Sequence, residues 1–273
     1  MVSVDPSLLA EGWPGEPAIV VSRWRDGDWH TLANYGDLDE VRPWASVSKL
    51  ATALGAAIEV EAGRASFEEH VDAEGVTLAH LLSHASGLGL EEGDRRVAPG
   101  TKRIYSNAGI DRAAARLAKS SDPREWITRC VLAPLSLTST SLRGRAAEGI
   151  EGSARDLATF ARHWVRPTLI SPGARDLSAT PFLAELAGIV PGFGRFSPCS
   201  WGLGVEVRGD KRHWMGDWPA ASFGHFGRSG ALVLIDVADG LCVVATSTVA
   251  FGPWAADLWP GWTTRVRQLG RSS

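Results

Sequence analysis

The strand signals of this chain sit at its two ends, and that placement constrains the fold more than any other feature. "PAIVVSRWRDGDWHTLANYG", from residue 17, reads as two strands around the turn Asp26-Gly27-Asp28. From about Ser200 the pattern becomes β-like again, in "WGLGVEVRG", "ASFGHFGRSGALVLID" and "LCVVATSTV", with "VADG" as a hairpin turn between the last two. The sequence between them is mainly helical. A helix starts near Ser46, is rich in Ala and Leu, and has Gly63 as its C-cap. "VTLAHLLSHASGL" is a short helix ending in a turn. "NAGIDRAAARLAKS" is another, and "DPREWITRCVLAPL" starts from Asp122 with Pro123 at its first position. "SARDLATFARHWV" has Ser153 as its N-cap, and "WTTRVRQLG" closes the chain as a last helix.

Strands this far apart in sequence predict one antiparallel sheet built from both ends, flanked by helices, with a helical lobe inserted between them. The fold class is therefore α/β in the α+β sense. We expect one domain over residues 1–273. Its two lobes are a sheet-and-helix lobe (1–63 plus 200–273) and a mainly helical lobe (64–199).

A net charge of −3 gives no electrostatic footprint for nucleic acid. The densest basic group, "GDRRVAPGTKR", is interrupted by Pro and Gly and reads as a solvated loop. No apolar run approaches the roughly 20 residues of a membrane span. The N-terminal "MVSVDPSLLAEGW" lacks a basic segment followed by an apolar one, so no secretory signal is expected. Cys130, Cys199 and Cys242 are odd in number and far apart, as buried thiols in a reducing compartment would be. We expect a cytoplasmic protein without a cofactor. Of the 12 tryptophans, most should be core; Trp44, Trp214 and Trp218 flank the motifs below.

Three short motifs carry chemistry. The first is "SVSKL", in which Lys49 follows Ser46 by three residues, one helical turn on the same face. The chain has 28 basic residues, and only Lys49, Lys102, Lys119 and Lys211 are lysines. A first helical turn disfavours a cation, so a buried lysine there has its neutral form favoured, as a general base requires. Arg could not serve, because it does not lose its proton in a protein. Taken alone, Ser46 would be a helix cap and Lys49 a surface side chain.

The second motif is "IYSNAGID". The Tyr105 phenol can relay a proton, and the Asn107 carboxamide can orient a lysine or accept a substrate amide proton. Alone, Asn107 would be an N-cap and Tyr105 a half-buried aromatic. The third is "FGHFGRSG", a His225-x-Gly227 step with Gly224 and Gly230 around it. Glycines in a strand mark close approach of another backbone or a ligand, and such a strand can present an N–H to an oxyanion.

Ser-x-x-Lys, then Tyr-x-Asn, then His-x-Gly on a late strand resembles the serine β-lactamase and penicillin-binding-protein superfamily. The branch it resembles most holds class C β-lactamases, D-alanyl-D-alanine carboxypeptidases and esterases. "LAHLLSHASGL", "APGTKRIYSNAGIDRAAARLA", "VLAPLSLTST", "GSARDLATFARHW" and "WGLGVEV" resemble that branch too, so the likeness covers about residues 17–250. It implies Ser46 as the acylated nucleophile, Lys49 as its base, Tyr105 as a partner in proton transfer, and Asn107 as a ligand of Lys49 or the substrate. His225 takes the place of the Lys in a Lys-Thr-Gly motif. The implied oxyanion hole is the backbone N–H of Ser46 and of Arg228, the residue after Gly227. Lys49 and Tyr105 read as one coupled unit.

The departures from the family pattern bear on substrate. Phe226 replaces a small hydroxylic residue, and His225 carries a full charge only below an ordinary pKa of about 6.5. Recognition of an anionic β-lactam or peptide carboxylate is weakened accordingly. The helical middle is short for a class C β-lactamase, and no counterpart of the class A deacylating Glu is seen. His80 and His84 are four apart, but no HExxH pattern or third ligand accompanies them, so zinc is not expected. No Gly-x-Ser-x-Gly elbow occurs.

The resulting expectation is a serine hydrolase acting on small esters, with amides possible, through an acyl-enzyme on Ser46. One alternative is a β-lactamase or D-alanyl-D-alanine carboxypeptidase-like enzyme, against which the missing signal peptide weighs. The other is a non-catalytic binding module on the same fold.

Overall fold

The structure is a computed structural model and describes residues 6–93 and 97–272. Arg95 and Arg96 of the basic stretch lie outside the described residues. The short helix α1 (Ser7–Ala10) precedes the hairpin β1 (Ala18–Arg25) and β2 (Asp28–Tyr35). Asp26 and Gly27 both take positive φ, +54° and +86°, the geometry of a tight two-residue hairpin turn. β3 (Arg42–Pro43) leads through a 3₁₀ turn (Ala45–Ser48) into α2 (Lys49–Glu61). Gly63, at φ +70°, ends that helix, and α3 (Leu78–Leu82) follows. α4 (Asn107–Ala118) and α5 (Pro123–Ile127), which continues as a π turn, complete the first part of the helical middle. β4 (Ser141–Leu142) and β5 (Ile150–Gly152) join β3 in a small sheet, and α6 (Ala154–Val165) and α7 (Pro172–Ala179) come next. β6 (Gly188–Val190) and β7 (Gly194–Phe196) form a separate hairpin. The last strands are β8 (Glu206–Val207), β9 (Phe223–Phe226), β10 (Leu232–Asp236) and β11 (Leu241–Thr246), before the closing α8 (Pro253–Ser272).

The main sheet has the order β2-β1-β11-β10-β9-β8, all neighbours antiparallel. The first and last strands of the chain thus pair directly, β1 with β11. Apolar layers cover both faces, which is why "ALVLID" and "LCVVAT" read as near-continuous apolar runs. Alternation still sorts them. Val233, Ile235, Cys242 and Val244 join the core shared with α2, α4 and α6, whereas Leu232, Leu234, Val243 and Ala245 face the tryptophans of α8. α6 belongs to the middle of the sequence, yet it packs on β1, β10 and β11.

Several local expectations need correction. The last helix begins at Pro253, well before Trp262, and runs through Pro260. A proline inside a helical pattern normally marks its end. Here Trp259 and Trp262, on either side of it, are both buried and hold the helix against the sheet. "WGLGVEV" contributes only Glu206–Val207 as strand. Ser46 is not a helix cap, since it lies inside the 3₁₀ turn, and the cap of α4 is Ser106, whose hydroxyl accepts from Gly109 N at 2.9 Å. α7, the small sheet and the β6–β7 hairpin carry no signal strong enough to have been expected.

Gly224 shows how tightly β9 is fitted. A Cβ there would lie 1.9 Å from the Val233 carbonyl oxygen, a backbone atom with no freedom to retreat. Gly224→Ala should therefore cost about 1–3 kcal/mol or more, read as a lower denaturation midpoint at unchanged slope. A variant as stable as the wild type would refute this account of β9.

Candidate active site

The turn that carries Ser46 is pinned to the small sheet. Trp44 N donates to Ile150 O at 2.9 Å, its indole Nε1 to Gly152 O at 3.1 Å, and Ile150 N to Ser48 Oγ at 3.0 Å. Ala45, immediately before Ser46, takes φ +46°, a strained value for a residue with a side chain. Such outliers persist only where the surroundings over-determine them.

One turn on, Lys49 is the first residue of α2 and is fully buried. Its Nζ has three oxygen neighbours: Ser46 Oγ at 3.1 Å, Asn107 Oδ1 at 2.7 Å and Ala147 O at 2.9 Å. Two of these can only accept. A neutral amine has two N–H bonds and one lone pair, so it can donate to Asn107 and Ala147 and accept the Ser46 hydroxyl proton. Burial brings the Lys49 pKa down from 10.5 to about 7, even though Glu148, Asp111 and Glu91 favour the cation; Arg145 adds to the lowering.

Tyr105 faces the same serine. Burial pushes its phenol well up, and a hydrogen bond with Ser46 offsets part of that. Its ring centre is 4.9 Å from Lys49 Nζ. The structure thus brings Ser46, Lys49, Tyr105 and Asn107 together from three elements.

His225 stands on β9 beside them, its ring centre 6.0 Å from that of Tyr105. Its Nδ1 is 2.7 Å from Phe226 O, and a carbonyl only accepts, so the proton is on Nδ1. Burial, followed by the nearby Lys49, holds its pKa down to about 3. Gly227 lies where β9 meets the serine turn. A Cβ there would sit 2.3 Å from Trp44 O and 3.2 Å from Ser46 N. That close approach leaves no room for a side chain between the end of β9 and the Ser46 turn. Neither the Ser46 N–H nor the Arg228 N–H donates to another described residue.

Other parts of the site have no signature in the sequence motifs. Ala147 contributes a carbonyl, which no side chain announces. Its loop is held by Asp111 Oδ1, which accepts from Ala147 N at 2.9 Å, and by Arg145, which bridges Asp111 and Glu91. Asn107 Nδ2 in turn points at Glu91 Oε1, 3.5 Å away. Glu206 is a buried carboxylate shared by Lys211, His213 and Trp214. The cavity beside Ser46 has a volume of about 230 Å³. Leu90, Val190, Pro191, Phe226 and Phe251 give it apolar walls, and Glu148, Glu206 and Arg228 also line it.

His80 and His84 do not converge on a common ligand. His80 Nδ1 caps α3 by accepting from Thr77 N, and His84 Nδ1 accepts from Ser106 N. Among the described residues no cluster of His, Cys, Asp and Glu is arranged to hold a metal ion. Among the same residues no helix is long and apolar enough to cross a membrane.

The β-lactamase family profile matches residues 8–261. A β-lactamase from Mycobacterium bovis is 33% identical, superimposes with a TM-score of 0.92, and aligns over 97% of this chain and 99% of its own. Two more distant structures share the fold. A mutant simvastatin synthase from Aspergillus terreus has 17% identity and a TM-score of 0.77, over 98% of this chain and 94% of its own. EstCE1, a hydrolase with promiscuous acyltransferase activity, has 15% identity and a TM-score of 0.74, over 97% and 95%. No functionally curated protein matches the sequence. With its profile match across nearly the whole chain and this degree of identity, the chain belongs to the β-lactamase family.

Proposed function

We propose that this protein is a serine hydrolase that cleaves small esters, and more slowly amides, through an acyl-enzyme on Ser46. The observation that carries the reading is the setting of Lys49: a buried amine 3.1 Å from Ser46 Oγ, with two acceptors to receive its own N–H bonds. Ser46 Oγ attacks the carbonyl carbon as its proton passes to Lys49. The backbone N–H groups of Ser46 and Arg228 take the developing oxyanion. The bond to the leaving alkoxide then breaks, and the proton reaches that oxygen through Lys49 and the Tyr105 hydroxyl. Water attacks the acyl carbon in turn, gives its proton to the same unit, and releases the acid with the Ser46 hydroxyl restored.

Esters are favoured over β-lactams by the character of β9. His225 is neutral at physiological pH, and Phe226 offers no hydroxyl, so neither side chain matches a lactam carboxylate. The second reading, β-lactam hydrolysis, has the M. bovis relative in its favour. Nitrocefin assayed beside short-chain nitrophenyl esters separates the two. The ester reading expects ester turnover with slow or no nitrocefin cleavage, and fast nitrocefin cleavage without esterase activity would replace it.

Ser46→Ala should remove ester turnover and covalent labelling by a fluorophosphonate together, the rate falling by about three orders of magnitude or more. Ester hydrolysis at the wild-type rate in that variant would sink the mechanism. Failure of the folded wild type to label would support a binding module instead.

Lys49→Arg keeps the charge and loses the base, so acylation should fall by about 10²–10⁴-fold. In the wild type kcat/KM should rise with pH and level off above about 7, because the base works only when neutral and Lys49 is neutral above its depressed pKa. A flat profile from pH 5 to 9, or full activity in the arginine variant, would show that Lys49 is not the base.

A further inference from the structure

The closed end of the cavity is lined by hydrogen-bond acceptors. His225 is 2% exposed, and because Nδ1 carries its proton, Nε2 holds a lone pair. That Nε2 is buried and has no partner. Glu206, 1% exposed, also lines the cavity, from β8, where it pairs with Gly224 in the ladder. Its Oε1 receives Lys211 Nζ at 2.9 Å and His213 Nε2 at 2.8 Å, and its Oε2 receives Trp214 Nε1 at 2.9 Å. A carboxylate offers about four acceptor positions, so one remains. These donors hold Glu206 ionised against the cost of its burial.

Among the described residues, Lys49 has its three oxygen neighbours, and Lys211 gives two of its three N–H bonds to Glu206 and to Ser200 O at 2.7 Å. Arg228 is exposed at the rim. A substrate carboxylate beside His225 Nε2 would meet a lone pair instead of a donor, which leaves its desolvation uncompensated at that atom. A hydroxyl or an ammonium there would donate to Nε2 and satisfy it. Leu90 and Arg228 are exposed and mark the outer rim, and the acyl chain, which stays attached to the enzyme until water arrives, is assigned to the buried side.

We propose that the enzyme selects acyl groups bearing a hydrogen-bond donor, a hydroxyl or an ammonium, and rejects acyl groups ending in a carboxylate. His225 Nε2 is the accepting atom, and its lone pair is what disfavours a carboxylate. The assignment rests on the serine hydrolase reading above and adds specificity to it.

The test is a panel of p-nitrophenyl esters of one six-carbon acyl chain ending in methyl, hydroxyl, ammonium or carboxylate, with fluorophosphonate labelling of Ser46 in parallel. The hydroxyl and ammonium esters should match or exceed the methyl ester in kcat/KM, and the carboxylate ester should fall at least about tenfold below it. His225→Lys should raise the carboxylate ester relative to the methyl ester by a similar factor. The wild-type panel stands whether or not that variant folds. Wild-type labelling with a carboxylate ester as fast as the methyl ester, or with both donor-bearing esters slower than it, would overturn the specificity and leave the hydrolase reading intact. Neither labelling nor turnover would overturn both.

Discussion

The burial of one ammonium-type side chain, Lys49, is the constraint on which the rest of this structure turns. Removing a charged amine from water costs several kcal/mol unless its charge is balanced or its proton is given up. Here the nearby charges balance it only in part. Glu148, Asp111 and Glu91 favour the cation, Arg145 opposes it, and desolvation outweighs them all. The amine is left close to the point where it is as often neutral as charged. Three separate parts of the chain are needed to hold it there: the turn with Ser46, the start of α4 with Asn107, and the loop with Ala147. The ion pairs of Arg145 with Asp111 and Glu91 lie outside this set and fix the loop and Asn107 in turn. Exposed pairs of this kind add little stability. Their effect is to position the two carbonyl-type acceptors that a neutral Lys49 requires.

The main sheet supplies the second half of the geometry. Strands from both ends of the chain pair as β1 and β11, and apolar layers on both faces leave β9 and β10 little freedom. Gly224 and Gly227 then permit approaches that any side chain would block, one to β10 and one to the Ser46 turn. The sheet is thereby in backbone contact with the serine.

Much of this was legible in the sequence because the relevant residues are chemically unusual for their places. A lysine among 24 arginines at a helix start, one of two tyrosines, and a histidine between glycines are each conspicuous, and their order resembles one superfamily. The sheet was legible because two-faced burial writes long apolar runs into β10 and β11. What escaped notice lacks local signature. Ala147 acts through its backbone, Arg145 matters through partners 34 and 54 residues away, and Glu206 looks like a polar residue in a strand until Lys211 and His213 close over it. The last helix starts earlier than expected because the burial of Trp259 and Trp262 overrides the local rule at Pro260. Taken alone, Asn107 reads as an N-cap, but Ser106 next to it fills that place and leaves the carboxamide free for Lys49.

A fold does not fix a reaction, so the fold and the family leave the chemistry to the site. In the proposed mechanism the chemistry comes down to the protonation of a single amine beside a serine. That protonation can be observed without any substrate. Lysine labelled with ¹³C at Cε, assigned through Lys49→Arg and titrated by NMR, should give one resonance with a midpoint near pH 7, well below 10.5. A Lys49 that titrates near 10.5 would remain an ammonium at neutral pH and would contradict the account at its centre.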